Sequence, residues 1–367
     1  MDYALGAVDF DALPGWRDDD PSSLFASMQR CLAHIETIKP YRTGSLGLHA
    51  EALAEVFRRA MPHPPETPAV ARAFFESNFQ PFRIARTDGA PGFVTAFYEP
   101  DVEVAAHPYA EWRYPFLRRP PDLVDLDAAN RPAELESSYA FGRSVQGIIG
   151  PYPDRQAIDL GALDGQGLEI AWARSRVDVF FAHVQGAARL RFVDGTVKRI
   201  TYAAKAGHPF TGIGRHLAEI GQIPLADVSM ASIRGWLALH PERQDEILWQ
   251  NRSYIFFREA PVEGLELGPI AAAKVPLEAM RSIAVDRQIH TFASLMYIDS
   301  RSLTHLTGGQ PFQRLMMALD TGTAIVGPAR ADIFTGSGTA AGDLAGNVRD
   351  DADFYILIPK SVAGGFG

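Results

Sequence analysis

The chain has 367 residues, of which 47% are hydrophobic and 22% are charged, and its formal net charge at pH 7 is -9. This length favours two domains, and the composition is that of a soluble globular protein. A nucleic-acid-binding surface is excluded, because such surfaces need clustered Lys and Arg to displace counterions from phosphate and no basic stripe occurs here.

Histidine and cysteine usage predicts neither a metal site nor a disulfide, and no cofactor is expected. The ten His are scattered along the chain, and none lies at zinc-ligand spacing from another His or from the single Cys31. Cys31 falls on the apolar face of a helical pattern, so we expect its thiol to be buried and inert. The segment GIGRHL fails as a dinucleotide-binding motif, and TGSGT lacks the flanking glycines of a nucleophile elbow.

Three helical patterns occupy the first eighty residues. They cover residues 21–38, 46–60 and 68–79, and Pro21 or Ser22 lies near the first N-cap. They are typical of an amphipathic scaffold without chemistry of its own. No apolar run approaches the roughly 18 to 20 residues that span a bilayer, and the first residues lack the basic and apolar order of a secretory signal.

Short extended runs begin at Pro81 and include GFVTAFYEP at residues 92–100. In a strand, Thr95 and Phe97 share one face and Tyr98 points to the other. An exposed aromatic beside a hydroxyl is suited to holding a sugar ring, and ordinary strand packing is the alternative. Glu99 is interpreted only as a sugar or structural contact.

A change of composition after Val104 indicates a second, mostly β domain inserted into the first. The runs LEIAWA, VDVFFAHVQG and ARLRFVDGTVKRITYAAKA read as its β structure, and Asp194-Gly195 predicts a hairpin in the last. Helical stretches at 212–221 and 229–239 lie at its end, and residues 261–276 form the linker back. Short strands then follow near Ser282, Ser294, Gln313 and Ala324, and at 353–359.

Three aspartates stand out in this last part of the chain. Asp286 follows a short apolar run, and Asp320 and Asp332 lie twelve residues apart on either side of a segment rich in Gly, Thr and Ala. Carboxylates at the ends of strands joined by small-residue turns can be held rigidly while a ligand approaches. The alternative is that they are turn residues bonding nearby backbone amides.

These three contexts, AVDRQI, ALDTGTAIVG and ADIFTGSG, resemble the three-aspartate signature of the membrane-bound lytic murein transglycosylase A family. Further similar segments occur in the family's order between about residues 80 and 360. They are GFVTAFYEP, YPFLRRPPDLV, VQG, TYAAKAGHPFTGIG, SMASIRGW and NRSYIFF.

The resemblance implies a fold that is mainly β with helices (α+β). Its expected parts are a double-psi β-barrel domain from residues 1–102 and 262–367, with the N-terminal helices, and an inserted β domain from residues 103–261. A groove for a glycan strand would lie between them.

The activity implied is cleavage of the β-1,4 bond between N-acetylmuramic acid and N-acetylglucosamine in peptidoglycan, with a 1,6-anhydromuramoyl product. Asp332 takes the role of a single acid that becomes a base, and its pKa should then be raised above the unperturbed aspartate value of about 3.9. Asp320 and Asp286 resemble the supporting acids. Polar residues expected to contact substrate are Thr95, Tyr98, Gln185, Lys205 and His208; for the last three, a solvated loop is the alternative.

Thr323 and Val326 depart from the family's usual Gly and Lys, and GPARAD carries one residue more before the acid. The alternatives are a non-catalytic peptidoglycan-binding protein and an enzyme of the same fold acting on another polysaccharide. The expected partner is the glycan strand, bound by a monomer in the periplasm. Attachment to the outer membrane would use a lipid anchor outside the sequence shown. Export would likewise use a signal outside it.

Overall fold

The computed structural model describes residues 3–60, 65, 67–261, 264 and 266–366. It divides into two compact units, Met1–Tyr98 with Leu265–Gly367, and Glu99–Gly264. The predicted linker includes residues 262, 263 and 265, which lie outside the described residues. Within the described ranges, no helix has both the length and the apolar character needed to cross a membrane.

The helices of the described chain are as follows. They are α1 (Leu24–Thr37), α2 (Ala50–Ala60), α3 (Pro68–Asn78), α4 (Arg155–Asp159), α5 (Arg176–Gln185), α6 (Ile213–Glu219), α7 (Met230–Leu239), α8 (Gln244–Leu248) and α9 (Thr339–Ala345). The three N-terminal patterns are confirmed as α1 to α3. Short 3-10 turns complete the N-terminal scaffold, and one of them, Pro21–Ser23, leads into α1.

The strands of the described chain are given next in chain order. They are β1 (Tyr3–Ala7), β2 (Phe79–Arg86), β3 (Gly92–Glu99), β4 (Asp101–Ala105), β5 (Tyr114–Leu117), β6 (Leu123–Asp125), β7 (Phe141–Val145), β8 (Ile148–Gly150), β9 (Glu169–Ala173), β10 (Ala187–Phe192), β11 (Val197–Lys205), β12 (Ile255–Ala260), β13 (Ser282–Val285), β14 (Leu295–Ser300), β15 (Phe312–Asp320), β16 (Arg330–Ser337) and β17 (Arg349–Pro359). The mixed α+β class, with most of the regular structure in sheets, is confirmed.

One eight-stranded sheet organises the first unit, in the order β1-β2-β17-β14-β15-β13-β16-β3. The long strand β17 also pairs with β3 through Arg349–Ala352, while its C-terminal half pairs with β14 and β2. Helix α1 packs on this sheet, where Cys31 is fully buried and its Sγ lies 3.9 Å from Met317 Sδ. Burial raises the pKa of the Cys31 thiol to about 12, in agreement with an inert side chain.

The second unit contains a six-stranded sheet, β12-β11-β10-β4-β9-β5, and a three-stranded sheet, β6-β7-β8. The predicted hairpin is confirmed, since β10 and β11 pair antiparallel and Gly195 lies in the turn at φ 88°. A glycine suits this left-handed conformation because it has no Cβ to clash.

Two secondary-structure predictions are wrong. The run VDVFFAHVQG is helix α5 and not a strand: Ser175 caps its N-terminus through Asp178 N, and Gly186 ends it in the left-handed conformation at φ 76°. Its apolar residues face both the sheet and the neighbouring helices, so a helical stripe was not visible in the sequence. The region of Ala324 is a turn, and the next strand begins only at Arg330.

Candidate active site

Asp320 and Asp332 lie on either side of the central strand β13. Asp320 is the last residue of β15, which pairs parallel with β13, and Asp332 belongs to β16, which pairs antiparallel with it. Both acids are in register with the same residue, Ala284. Their Cα atoms are therefore two strand spacings apart, about 10 Å, with both side chains on one face of the sheet.

A register shift places the two acids on the same face. Along β15, Ala318 pairs with Ile283 but Asp320 pairs with Ala284, so Leu319 is the additional residue. In a regular ladder Leu319 would oppose Ala284 and Asp320 would point to the other face. Leu319 is instead fully buried in the core. The irregularity thus brings the carboxyl of Asp320 towards that of Asp332.

Asp332 has one carboxyl oxygen held by the protein. Thr95 on β3 donates its hydroxyl hydrogen to Asp332 Oδ1. Arg330 Nη2 donates to the Thr95 oxygen at 2.7 Å, and the guanidinium lies 5.4 Å from the Phe93 ring centre. Asp332 Oδ2 has no hydrogen-bond partner among the described residues.

Burial raises the pKa of Asp332, while the Thr95 hydrogen bond and the Arg330 charge act in the opposite direction. The net shift is upward, as general-acid chemistry requires. The same burial lowers the pKa of Arg330, which the nearby Asp332 partly offsets. Arg330 therefore faces the acid as a cation largely withdrawn from water.

Asp320 is held differently, through backbone amides. Its Oδ1 accepts a hydrogen bond from Ala272 N at 3.1 Å, and the amide of Thr321 also bonds the carboxyl. Burial raises its pKa to about 6; the two amides and the charge of Lys274 oppose this, and the charge of Asp332 adds to it. The Asp332 carboxyl is thus close enough to influence the ionisation of Asp320.

Asp286 fixes the loop between the other two acids. Its Oδ1 accepts from Gln288 N and its Oδ2 from Gly327 N, both at 2.9 Å. Gly327 has φ 116°, a conformation that only glycine adopts easily. In addition, His290 Nε2 bonds Pro328 O at 2.8 Å and Thr321 Oγ1 bonds Val285 O at 2.9 Å. For Asp286, the interpretation as a turn residue bonding backbone amides describes its contacts.

The loop anchored in this way presents Thr323 and Val326 to solvent. Both are exposed, and Val326 is 69% exposed. An apolar side chain that is exposed on a firmly held loop beside two carboxyls is available for contact with a ligand.

Tyr98 and Glu99 do not match the surface roles considered for this strand. Tyr98 is 8% exposed, and its ring lies against Gly342 of α9, so the expected exposed aromatic is not present at this position. Glu99 is fully buried and makes a bidentate ion pair with Arg199, with N–O distances of 2.7 and 3.0 Å. Glu99 is therefore a structural residue of the second unit.

Gln185, Lys205 and His208 belong to the second unit. Gln185 ends α5 and Lys205 ends β11, and both are half-buried. His208 is buried: its Nε2 contacts Tyr152 O at 2.7 Å and its Nδ1 contacts the Tyr139 hydroxyl at 3.1 Å. Both ring nitrogens are thus engaged within the protein, although His208 and Tyr139 line a cavity of about 370 Å³.

Two residues of the acid site were missed in the sequence. Arg330 could have been found, because it lies two positions before Asp332 on the same face of a strand. Lys274 could not, because it lies in the predicted linker and reaches the site through a tight turn in which its own φ is 65°. The described residues contain no group of three or more His, Cys, Asp or Glu that could hold a metal ion.

Chemically, the site offers two half-buried carboxyls with raised pKa values and different surroundings. The Asp332 carboxyl has an oxygen available to exchange a proton with a ligand, whereas the Asp320 carboxyl is fixed by amides that favour its charged form. Such a pair is suited to protonating a leaving group while stabilising positive charge.

The chain is similar to known proteins over most of its length. Residues 93–258 match the MltA specific insert domain, and residues 281–358 match the 3D domain. Membrane-bound lytic murein transglycosylase A of Escherichia coli K12 is 32% identical over 280 residues, which cover 74% of this chain and 66% of that protein.

Two solved structures extend the comparison to nearly the whole chain. A membrane-bound lytic murein transglycosylase from Agrobacterium tumefaciens is 57% identical, with a TM-score of 0.94 over 99% of this chain and 100% of that one. MltA from Neisseria gonorrhoeae is 30% identical, with a TM-score of 0.78 over 97% and 93% of the two chains. The chain described here belongs to the membrane-bound lytic murein transglycosylase A family.

Proposed function

We propose that this protein is a lytic transglycosylase that cleaves the β-1,4 bond between N-acetylmuramic acid and N-acetylglucosamine in peptidoglycan and forms a 1,6-anhydromuramoyl product. The observation that carries the proposal is the state of Asp332: a carboxyl with a pKa raised by burial, one oxygen held by Thr95 and the other without a partner among the described residues. The family relationship supports the substrate class.

In the first step, protonated Asp332 gives its proton to the glycosidic oxygen. The bond from that oxygen to the anomeric carbon of the muramic acid breaks, and the bonding electron pair leaves with the oxygen as a hydroxyl of N-acetylglucosamine. Positive charge develops on the muramic acid ring. Ionised Asp320, held by the Ala272 and Thr321 amides on the same face of the sheet, stabilises that charge.

In the second step, the carboxylate of Asp332 acts as a base. It takes the proton of the C6 hydroxyl of the same muramic acid, whose oxygen bonds the anomeric carbon and closes the 1,6-anhydro ring. The nucleophile is already tethered, so the entropy of recruiting a water molecule is saved. Asp332 is protonated again at the end, and no second carboxyl is required for proton transfer.

We extend the proposal to the binding surface. The glycan lies in a groove with the first unit as one wall and residues 103–261 as the other, and Gln185 and Lys205 contact the sugars. Thr95 acts through Asp332, and Tyr98 and His208 shape the surface from inside, in keeping with their burial. An E. coli MltA structure with bound chitohexaose shares the fold at 24% identity.

The architecture, location and assembly state form part of the same proposal. The pairing of β17 with β2 and β14 at one end and β3 at the other supports a double-psi β-barrel. The protein acts in the periplasm, where peptidoglycan lies, at or near the outer membrane; its named relatives are membrane-bound. It acts as a monomer.

Digestion of purified sacculi, followed by mass analysis of the soluble products, tests the proposal. Anhydromuropeptides support it. Products with reducing ends would indicate a hydrolase, and the absence of products despite binding to sacculi would indicate a peptidoglycan-binding protein. Release of sugars only from another polysaccharide would move the enzyme to a different substrate. Each of these three outcomes contradicts the proposed reaction.

A further inference from the structure

The hydrogen bonds around Thr95 restrict where the proton of Asp332 can lie. The Thr95 hydroxyl has a single hydrogen, and its polar side-chain partners among the described residues are Arg330 and Asp332. The guanidinium of Arg330 can only donate, so at this contact the Thr95 oxygen is an acceptor. The one hydroxyl hydrogen is then directed to Asp332 Oδ1.

The alternative arrangement leaves a hydrogen without an acceptor. If Oδ1 carried the acid proton and donated it to Thr95, the hydroxyl would accept from both neighbours and its own hydrogen would have no partner among the described residues. In a half-buried position a hydroxyl hydrogen without an acceptor carries the desolvation cost of the group. The favoured arrangement keeps Oδ1 an acceptor in both ionisation states of Asp332.

We propose that Arg330 is a positioning residue which, through Thr95, holds the transferable proton of Asp332 on Oδ2. This inference rests on the proposed function and deepens it. Oδ2 is the oxygen without a protein partner among the described residues. The acid therefore always presents its proton, rather than its carbonyl oxygen, to the substrate.

The arrangement makes one oxygen serve both steps. Oδ2 gives its proton to the glycosidic oxygen, and the resulting carboxylate still accepts from Thr95 at Oδ1. Oδ2 then takes the proton from the C6 hydroxyl, so the carboxyl returns to its starting state without rotating. Two proton transfers at one atom need no rearrangement between them, which is the advantage of a preorganised site.

Charged groups on the neighbouring strands determine the pH dependence that the inference predicts. Arg330 lies on β16 with Asp332, and Asp320 faces it from β15. Strand β13 contributes uncharged Ala284 and β3 contributes Thr95. The positive charge of Lys274 lowers the pKa of Asp320. The Asp286 carboxyl accepts hydrogen bonds from the backbone amides of Gln288 and Gly327. Arg330 is thus the cation acting directly on Asp332.

The test uses Arg330→Gln, Arg330→Lys, Thr95→Val and Thr95→Ser, with Arg301→Gln as the matched control. Arg301 is exposed and follows Ser300, which pairs with Phe312 at the opposite end of β15, about 25 Å from Asp320. It therefore removes the same charge away from the site. Initial rates of anhydromuropeptide release are measured across pH, and the Asp332 carboxyl is titrated by carbon-13 NMR in each protein.

We expect Arg330→Gln to lower kcat about tenfold or more, as for loss of an orienting partner, with KM within about twofold. The alkaline limb of the kcat profile and the NMR titration of Asp332 should both move to higher pH, because a cation that favours the carboxylate is gone. Arg330→Lys and Thr95→Ser should recover most of the rate, and Arg301→Gln should behave as wild type. In a Thr95→Val background, Arg330→Gln should cost less than about twofold in kcat at the pH optimum, since the two residues act in series.

Additive losses in the double variant would overturn the inference, as would an unchanged titration of Asp332 in Arg330→Gln. An equal loss of rate at every pH together with a lowered melting temperature would assign Arg330 a structural role only. The titration does not depend on activity. The wild-type protein could release no anhydro product while the Asp332 titration still moves to higher pH in Arg330→Gln. That result would contradict the proposed function but retain the control of Asp332 by Arg330.

Discussion

Asp320 and Asp332 are both in register with Ala284, one from each neighbouring strand, because Leu319 is an additional residue in the ladder of β15. The two carboxyls consequently share one face of the sheet while their surroundings differ: two amides hold the first, and one hydroxyl holds the second. Their roles can therefore be separated by substitution.

Replacing Asp332 by Asn should reduce the release of anhydromuropeptides by about a hundredfold or more, the range lost with a general acid. The amide keeps the size and the acceptor for Thr95 but has no transferable proton. Binding to sacculi and the melting temperature should change little. Asp343→Asn, at an exposed carboxyl of α9, is the control. A near-normal rate in Asp332→Asn would remove the catalytic role from this residue, and Asp320 would be tested next.

Asp320 should make stability depend on pH in a defined direction. Its folded pKa of about 6 exceeds the ordinary aspartate value of 3.8, so between these values the folded state binds more protons than the unfolded state. The contribution of the Asp320 carboxyl to the free energy of unfolding is fully present below about pH 4. It is lost as the pH rises through about 6. Asp320→Asn removes this dependence.

The melting temperature of Asp320→Asn, relative to wild type, should therefore rise by about 3 °C or more between pH 4 and pH 7, while turnover falls. Calorimetry at the two pH values measures the difference. Asp343→Asn again serves as the control. A constant difference across this range would show that the Asp320 pKa is not raised by folding.

The buried ion pair between Glu99 and Arg199 should be a stability element without a catalytic part. Removing one partner leaves an uncompensated buried charge, at a cost of about 3–5 kcal/mol. We expect Glu99→Ala to lower the unfolding free energy of the second unit by that amount, measured by denaturant titration. The Glu99→Ala protein that remains folded should still show the alkaline limb of the wild-type profile of kcat against pH. Loss of activity in a variant of unchanged stability would instead give Glu99 a role in the reaction.

Chelation should leave the reaction unchanged, because the proposed mechanism uses proton transfer by one carboxyl. Release of anhydromuropeptides is compared before and after dialysis against EDTA, and again after addition of Mg²⁺, Zn²⁺ or Ca²⁺. Loss of the rate with EDTA and recovery with one ion would mean that the acids bind a metal during turnover.

Loosening the loop that carries Val326 should weaken catalysis without removing the acid. Asp286→Ala deletes the acceptor for the Gln288 and Gly327 amides, so we expect kcat/KM to fall about tenfold. The unfolding free energy should fall by about 1–3 kcal/mol, as for unsatisfied amides. Asp286→Asn should lie between alanine and wild type. Full activity in Asp286→Ala would show that the anchored loop does not position the substrate or the acids.

The sequence predicted the acids and most elements because these depend on local signals. Asp286 and Asp320 follow apolar runs that form β13 and β15, and the hairpin at Gly195 has its own turn chemistry. The run before Gly186 was misread because nearly all its residues are apolar, although Ser175 and Gly186 were available as cap signals.

Other features depend on tertiary structure and left no local signal. Leu319 is unremarkable in sequence, and its extra position appears only when β13 pairs with β15. The burial of Tyr98 follows from the packing of α9 over it, through a glycine more than 240 residues away. Lys274 approaches Asp320 only because its turn is folded against the end of β15.

Strand β17 pairs with β2, β3 and β14, and so joins segments from both ends of the chain. Such long-range pairing carries a large loop-closure entropy and forms slowly. During synthesis, Thr95 emerges long before Arg349, its partner in β17, so the strand that supports Asp332 lacks one neighbour until the chain is almost complete. A prematurely terminated chain that lacks β17 should therefore be unable to cleave glycan, and the lytic hazard to the cell begins only once this strand is in place.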